Sequence, residues 1–175
     1  MKNNKFNIKK EIISYIKTIA ISLFIVYLLN TFVFKPVKVQ GDSMYPTLFD
    51  GEYGFSSIYN LRKKGIERFD IVIIYIPETN DYLVKRVIGL PTDNVSYINN
   101  KLYINGDIVE ETFLNKNAVT NDFEVTLNND EYYCLGDNRS KSKDSRFYGG
   151  FSSKQIKSKD FYLIYPLNKV GKKVN

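Results

Sequence analysis

From Thr18 to Phe34 the chain runs TIAISLFIVYLLNTFVF, 17 residues without a charge. As a helix this stretch spans roughly 25 Å, slightly short of a bilayer core of about 30 Å. Ile12, Ile13, Tyr15 and Ile16 extend it, and Lys17 reaches the headgroups along its apolar stem. A buried core helix is the alternative, but this run is apolar on every side and edged by lysines, as a membrane helix is. A cleaved secretory leader needs small residues after its apolar run. Here the run ends in Phe34-Lys35-Pro36-Val37-Lys38-Val39, which has none. The expected organisation is therefore a basic tail over 1–16, an uncleaved anchor over 17–35 and an external body over 36–175. Five lysines precede Thr18 and two closely follow Phe34, which keeps the N-terminus cytoplasmic and the membrane single-pass.

Charge and composition narrow what the body does. The net charge of +6 invites a nucleic-acid reading, but residues 1–38 carry seven lysines against Glu11 and hold all of it. A balanced body has no clustered phosphate-binding face, so nucleic acid is not an expected partner. The chain has no histidine and one cysteine. That excludes a Ser-His-Asp triad, a Cys-His pair, a His-ligated zinc and any CxxC site. No metal or cofactor is expected, and acid–base chemistry falls to a carboxylate, Lys or Tyr.

The body reads as short strands between turns. Asp70–Ile76 and Tyr82–Ile88 are rich in β-branched residues and separated by Pro77-Glu78-Thr79-Asn80. Asn99-Asn100 and Asn105-Gly106 supply the positive φ of two-residue hairpin turns joining Ser96–Ile98, Lys101–Ile104 and Asp107–Val109. Further strands are expected at Val37–Gln40, Phe123–Leu127, Tyr132–Leu135 and Phe161–Tyr165, with one helical turn over Ser152–Lys157. The fold class is mostly β: an antiparallel domain behind one transmembrane helix, with a smaller inserted subdomain over about 94–130.

Three clusters carry candidate chemistry. Gly41-Asp42-Ser43-Met44-Tyr45-Pro46-Thr47-Leu48 sets a serine in a turn bracketed by Gly41 and Pro46. Alone, it is an ordinary loop serine. Lys85-Arg86-Val87-Ile88-Gly89-Leu90-Pro91 places Lys85 between apolar neighbours on one strand face, where burial favours the neutral amine. An isolated lysine on an edge strand instead keeps its head in water. Gly136–Arg146 (GDNRSKSKDSR) is dense in hydrogen-bonding groups, and Arg–carboxylate pairs such as Asp144 with Arg146 or Arg139 with Asp137 would make it rigid.

Taken together, GDSMYPTL at 41–48, RFDIV at 68–72, KRVIGLP at 85–91 and GDNRxxSxDSR at 136–146 resemble the bacterial type I signal peptidases, a membrane-bound serine–lysine protease family. The resemblance runs from about residue 17 to the C-terminus. It implies Ser43 as nucleophile, Lys85 as general base, Ser142 as a hydrogen-bond partner of the lysine amine, and Asp144 with Arg146 as a supporting pair. It further implies a protein of the bacterial cell membrane whose substrate is the signal peptide of an exported preprotein, cut near the translocation channel. Small side chains would be chosen by pockets along extended peptide beside Val39–Gly41 (including Gln40) and Tyr82–Leu83. Ser43 lies nine positions after Phe34, and nine extended residues reach at most about 30 Å, so the site works close to the bilayer.

Three departures from the family pattern stand out. Gly41 occupies the position where some members carry an oxyanion-hole serine. Phe69 and Thr92 stand where glycine is usual, and Pro91-Thr92 favours a type I turn over type II. Cys134 is expected as a buried inert thiol, and the Asn138-Arg139-Ser140 sequon as incidental. Two other readings share some of these features. One is a relative of the soluble self-cleaving Ser/Lys repressors, against which the anchor and neutral body weigh. The other is a non-catalytic membrane-tethered β binding module, against which the joint presence of Ser43 and Lys85 weighs.

Overall fold

A computed structural model describes residues 8–174; Met1–Asn7 of the basic tail, and Asn175, lie outside the described residues. Helix α1 (Ile8–Phe32) is 25 residues long, about 37 Å, and buries none of its side chains. Within the described residues it extends nine residues before the expected anchor, where Ile8, Ile12, Ile13 and Ile16 continue the apolar surface through Lys9, Lys10 and Lys17. The hydroxyls of Thr18, Ser22 and Thr31 donate to the carbonyls of Ser14, Thr18 and Tyr27, at 2.8–3.0 Å. Such back-bonding satisfies polar side chains that hydrocarbon cannot.

The body is built on antiparallel strands. They are β1 (Phe34–Lys38), β2 (Tyr53–Ser57), β3 (Ile71–Ile76), β4 (Asp81–Gly89), β5 (Asn94–Ile98), β6 (Lys101–Ile104), β7 (Asp107–Val109), β8 (Phe123–Thr126), β9 (Glu131–Leu135), β10 (Phe151–Ser152), β11 (Ile156–Tyr165) and β12 (Lys173–Val174). The larger sheet has the order β1-β2-β11-β3-β4-β9-β10, with β12 added to β11; the smaller is β7-β6-β5-β8. Asn99, Asn100, Asn105 and Gly106 all take positive φ, as the two hairpins joining β5, β6 and β7 require.

Some local expectations give way. Ser152–Lys157 does not form a helical turn. Ile156 pairs with Ile74 of β3, Tyr75 N donates to Gln155 O at 2.9 Å, and the long strand β11 takes the end of the segment. Two elements carry no sequence signal. In β2 a side chain at Gly54 would overlap Phe161 and the Tyr162 carbonyl, so the strand reads as a loop although glycine is what lets it lie on β11. Helix α2 (Ile58–Lys64) follows, capped by Ser57 Oγ accepting from Asn60 N at 3.0 Å, and is too short to show periodicity.

The type I turn expected at Pro91-Thr92 is also corrected. Thr92 has φ +72°, with Asp93 N donating to Leu90 O at 3.1 Å, which is the backbone sign of a type II turn. The turn is held by Asp93, whose carboxylate accepts from Leu90 N, Arg68 and Asn105. Phe69, at φ +70°, is held in the same way: its N–H donates to Val87 O and its carbonyl accepts from Arg86 Nη1, both within 2.9 Å. At each position the surrounding bonds override the side chain's aversion to left-handed backbone.

Candidate active site

Ser43 sits in the 39–52 loop between β1 and β2. The loop is fixed from within: Met44 and Leu48 are buried with Val39, Ile71, Phe161, Leu163 and Val174. Its mouth closes through Val39 N to Glu52 O at 2.8 Å and Gly51 N to Val39 O at 3.0 Å. Thr47 Oγ1 donates to Asp137 Oδ2 at 2.5 Å, and Ser43 O accepts from Asn138 N at 3.0 Å. These last two bonds tie the serine loop to the 136–146 loop. Gly136 makes that approach possible, since a methyl group there would overlap Ser142 Oγ and the Ser43 carbonyl oxygen.

Lys85 enters from the middle of β4, paired with Val72 on β3. The residue is 3% exposed, and Nζ lies 2.8 Å from Ser43 Oγ. Burial pulls the amine down to about 8 from its ordinary 10.5, while the carboxylates of Asp144 and Asp137 pull it back up. Both carboxylates are offset by arginines. Asp137 accepts from Arg86 Nε at 2.9 Å and Nη2 at 2.7 Å; Asp144 accepts from Arg146 Nε and Nη2, each at 2.8 Å. Burial alone would raise the Asp144 carboxyl, yet Arg146 and the Gly136 N–H hold it below its usual range. The result is a desolvated amine, close to neutral at mildly alkaline pH, at proton-transfer distance from a hydroxyl.

Arg86 and Lys85 are adjacent on one strand and point to opposite faces, yet both are buried. Arg86 also donates to Phe69 O and stacks on Phe113, its Cζ 3.9 Å from the ring centroid. Arg139, expected opposite Asp137, instead binds Glu111 and the Tyr97 hydroxyl, and donates to Thr120 Oγ1 at 3.1 Å and Gly136 O at 3.1 Å. It thus pins the smaller sheet to the site loop. The Asp144–Arg146 pair forms as the sequence suggests. Sequence reasoning missed Arg86–Asp137, Thr47–Asp137 and Arg139–Glu111, because pairs 28 to 90 residues apart have no local spacing to betray them.

The remaining candidates are placed as follows. Ser142 Oγ is buried next to Gly136 and makes no hydrogen bond to the Lys85 amine, so the expected bond is not formed. Gly41, at φ +78°, donates its N–H to Asp50 Oδ1 at 2.7 Å and so offers neither a side chain nor a free donor to an oxyanion. Val39 is 2% exposed and committed to the core, while Gln40 is exposed beside it. Tyr82 and Leu83 lie on the first half of β4, which β9 does not cover: its pairing runs only from Arg86 to Gly89. Cys134 is a buried free thiol, pushed up by burial and by Asp144.

Comparison with known proteins gives one consistent family. A profile described as signal peptidase, peptidase S26, matches residues 12–165. Signal peptidase I S of Bacillus subtilis is 38% identical, over 98% of this chain and 99% of that protein. Signal peptidase IB of Staphylococcus aureus is 35% identical, over 91% and 93%. The crystal structure of a signal peptidase I from Enterococcus faecalis matches with a TM-score of 0.50 at 33% identity, covering 55% of this chain and 97% of that one.

Proposed function

Because the chain belongs to the signal peptidase family, peptidase S26, we propose that Ser43 is the nucleophile and Lys85 the general base of its protease chemistry. The protein is a membrane-anchored serine endopeptidase that removes signal peptides from preproteins. The observation that carries the assignment is the 2.8 Å separation of Lys85 Nζ from Ser43 Oγ, with the amine lowered to about 8 by burial.

In the proposed mechanism neutral Lys85 takes the Ser43 proton as Oγ attacks the scissile carbonyl. The ammonium then protonates the leaving amine as the C–N bond breaks, leaving an acyl-serine. Lys85, neutral again, deprotonates a water that attacks the ester, and returns that proton to Ser43 Oγ as the acyl group departs. The Ser43 N–H serves as one oxyanion donor. Asp144, Arg146, Arg86 and Asp137 act as positioning residues, holding the two loops that bring serine and amine together.

We assign the uncovered edge of β4 at Tyr82 and Leu83, together with the exposed Gln40, to the extended signal peptide, which would add there as a strand. Support comes from the absence of β9 pairing before Arg86. The cytoplasmic N-terminus, the catalytic body outside and action beside the translocation channel belong to the same proposal, supported by the lysine asymmetry around α1.

The test is cleavage of a preprotein by purified full-length protein in detergent. Ser43→Ala and Lys85→Met should each lower kcat by on the order of 10⁴ or more. Full activity in either variant would refute the pair.

A further inference from the structure

The base of the body carries a feature the peptidase chemistry does not use. An apolar groove of about 560 Å³ opens where α1 ends, lined chiefly by Val33, Phe34, Phe55, Tyr59, Asn60 and Tyr162. Its one amide side chain is already committed, because Asn60 Nδ2 donates to Asp160 Oδ2 at 2.7 Å. Ser57, also in the lining, has its hydroxyl oxygen engaged by Asn60 N at 3.0 Å, so the surface left to a ligand is predominantly hydrocarbon and aromatic ring.

Helix α2 runs along this groove and ends in Arg62-Lys63-Lys64. Its position is fixed relative to the membrane helix, since Ile58 N and Tyr59 N both donate to Val33 O, at 2.9 and 3.3 Å. The cations lie over rings at the groove: Arg62 Cζ is 5.6 Å from the centre of Phe32, and Lys63 Nζ is 5.5 Å from that of Tyr59. Among the described residues, no carboxylate forms an ion pair with Arg62, Lys63 or Lys64.

An apolar slot at the level where the anchor leaves the bilayer, with Arg62 and Lys63 beside it and no carboxylate paired with either among the described residues, matches one chemistry. We propose that the groove holds an acyl chain of an anionic phospholipid whose phosphate rests on Arg62 and Lys63. Continuity with α1 supplies the chain from the bilayer itself, and charge complementarity selects an anionic over a zwitterionic headgroup. The lipid would fill the angle between anchor and body, fixing the body's tilt over the membrane.

The chain has no tryptophan, so one introduced at the groove is a clean reporter. Tyr162→Trp protein, full length, is reconstituted into phosphatidylcholine vesicles containing a minor fraction of chain-brominated phosphatidylglycerol or, separately, brominated phosphatidylcholine. Brominated phosphatidylglycerol should quench with an apparent association higher by about fivefold or more. Arg62→Gln/Lys63→Gln/Lys64→Gln should abolish that preference. Lys101→Gln/Lys116→Gln/Lys154→Gln, which removes as much charge elsewhere on the body, should retain it. Phe55→Trp repeats the measurement with a second reporter should the first variant misfold. Equal quenching by the two lipids overturns the proposal, as does a preference that survives the first triple substitution or disappears in the second. Displacement by an apolar signal peptide, with equal response to both lipids, assigns the groove to substrate and also overturns it. No cleavage is measured, so failure here leaves the Ser43–Lys85 assignment untouched.

Discussion

Replacing Lys85 by methionine should remove activity and make the protein more stable at neutral pH. The folded amine titrates at about 8 against 10.5 in the unfolded chain. Below pH 8 it is protonated in both states, so the folded protein carries a buried ammonium. At pH 7 this costs about 3 kcal/mol, from a shift worth roughly 1.4 kcal/mol per pH unit. Methionine fills the same space without charge but forfeits the contact with Ser43 Oγ, worth about 1 kcal/mol. The expected net gain is about 2 kcal/mol at pH 7. Between pH 8 and 10.5 the unfolded state binds more protons than the folded one, so wild-type stability rises and the gap closes. By pH 10 the remaining burial cost is about 1 kcal/mol, and the two proteins should be close to equal. Urea unfolding of both proteins in detergent, followed by circular dichroism at pH 7 and pH 10, measures this directly. A variant less stable than wild type at pH 7, or a gap that does not change with pH, would show that the amine is not held dry and would refute the reasoning.

Three further outcomes follow from the same geometry. The kcat/KM for preprotein cleavage should rise roughly tenfold between pH 7 and pH 9, as the neutral fraction of Lys85 grows; a flat profile, or a rise only above pH 10, would contradict the assigned base. Gly136→Ala should lower cleavage by about 10² or more, because its methyl pushes the Ser43 carbonyl and displaces the hydroxyl. Unchanged kinetics in that variant would mean the contact between the two loops does not position Ser43. Thr92→Gly should stabilise the protein by roughly 0.5–1 kcal/mol in thermal or urea unfolding and leave cleavage unchanged, since it relieves positive φ at an exposed turn; destabilisation would show that the turn is not strained.

Features set by neighbouring residues are legible in the chain itself. Asn-Asn and Asn-Gly fix the two hairpins because few other dipeptides accept positive φ twice. The β-branched runs fix β3 and β4, and the uncharged run fixes α1. The pairing of Ser43 with Lys85 rests on resemblance: nothing local brings residues 42 positions apart together, and only the folded sheet and its loops do so. What the sequence hides depends on distant partners. Strand β2 looks like a loop until Phe161 is seen against Gly54. The positive φ at Phe69 and Thr92 is imposed by Arg86, Val87 and Asp93 against the residues' own preference. Arg139 has two carboxylates nearby in sequence and pairs with Glu111, because the smaller sheet brings Glu111 and Tyr97 against the site loop.

The proposed catalysis turns on the protonation state of one amine. Selective ¹³Cε labelling of lysine, with the Lys85 resonance identified by its loss in Lys85→Met, allows that group to be titrated in the intact, detergent-solubilised protein. The expected midpoint is about 8, moving upward only when the fold is lost. A Lys85 midpoint at the ordinary 10.5 in the folded protein would contradict it.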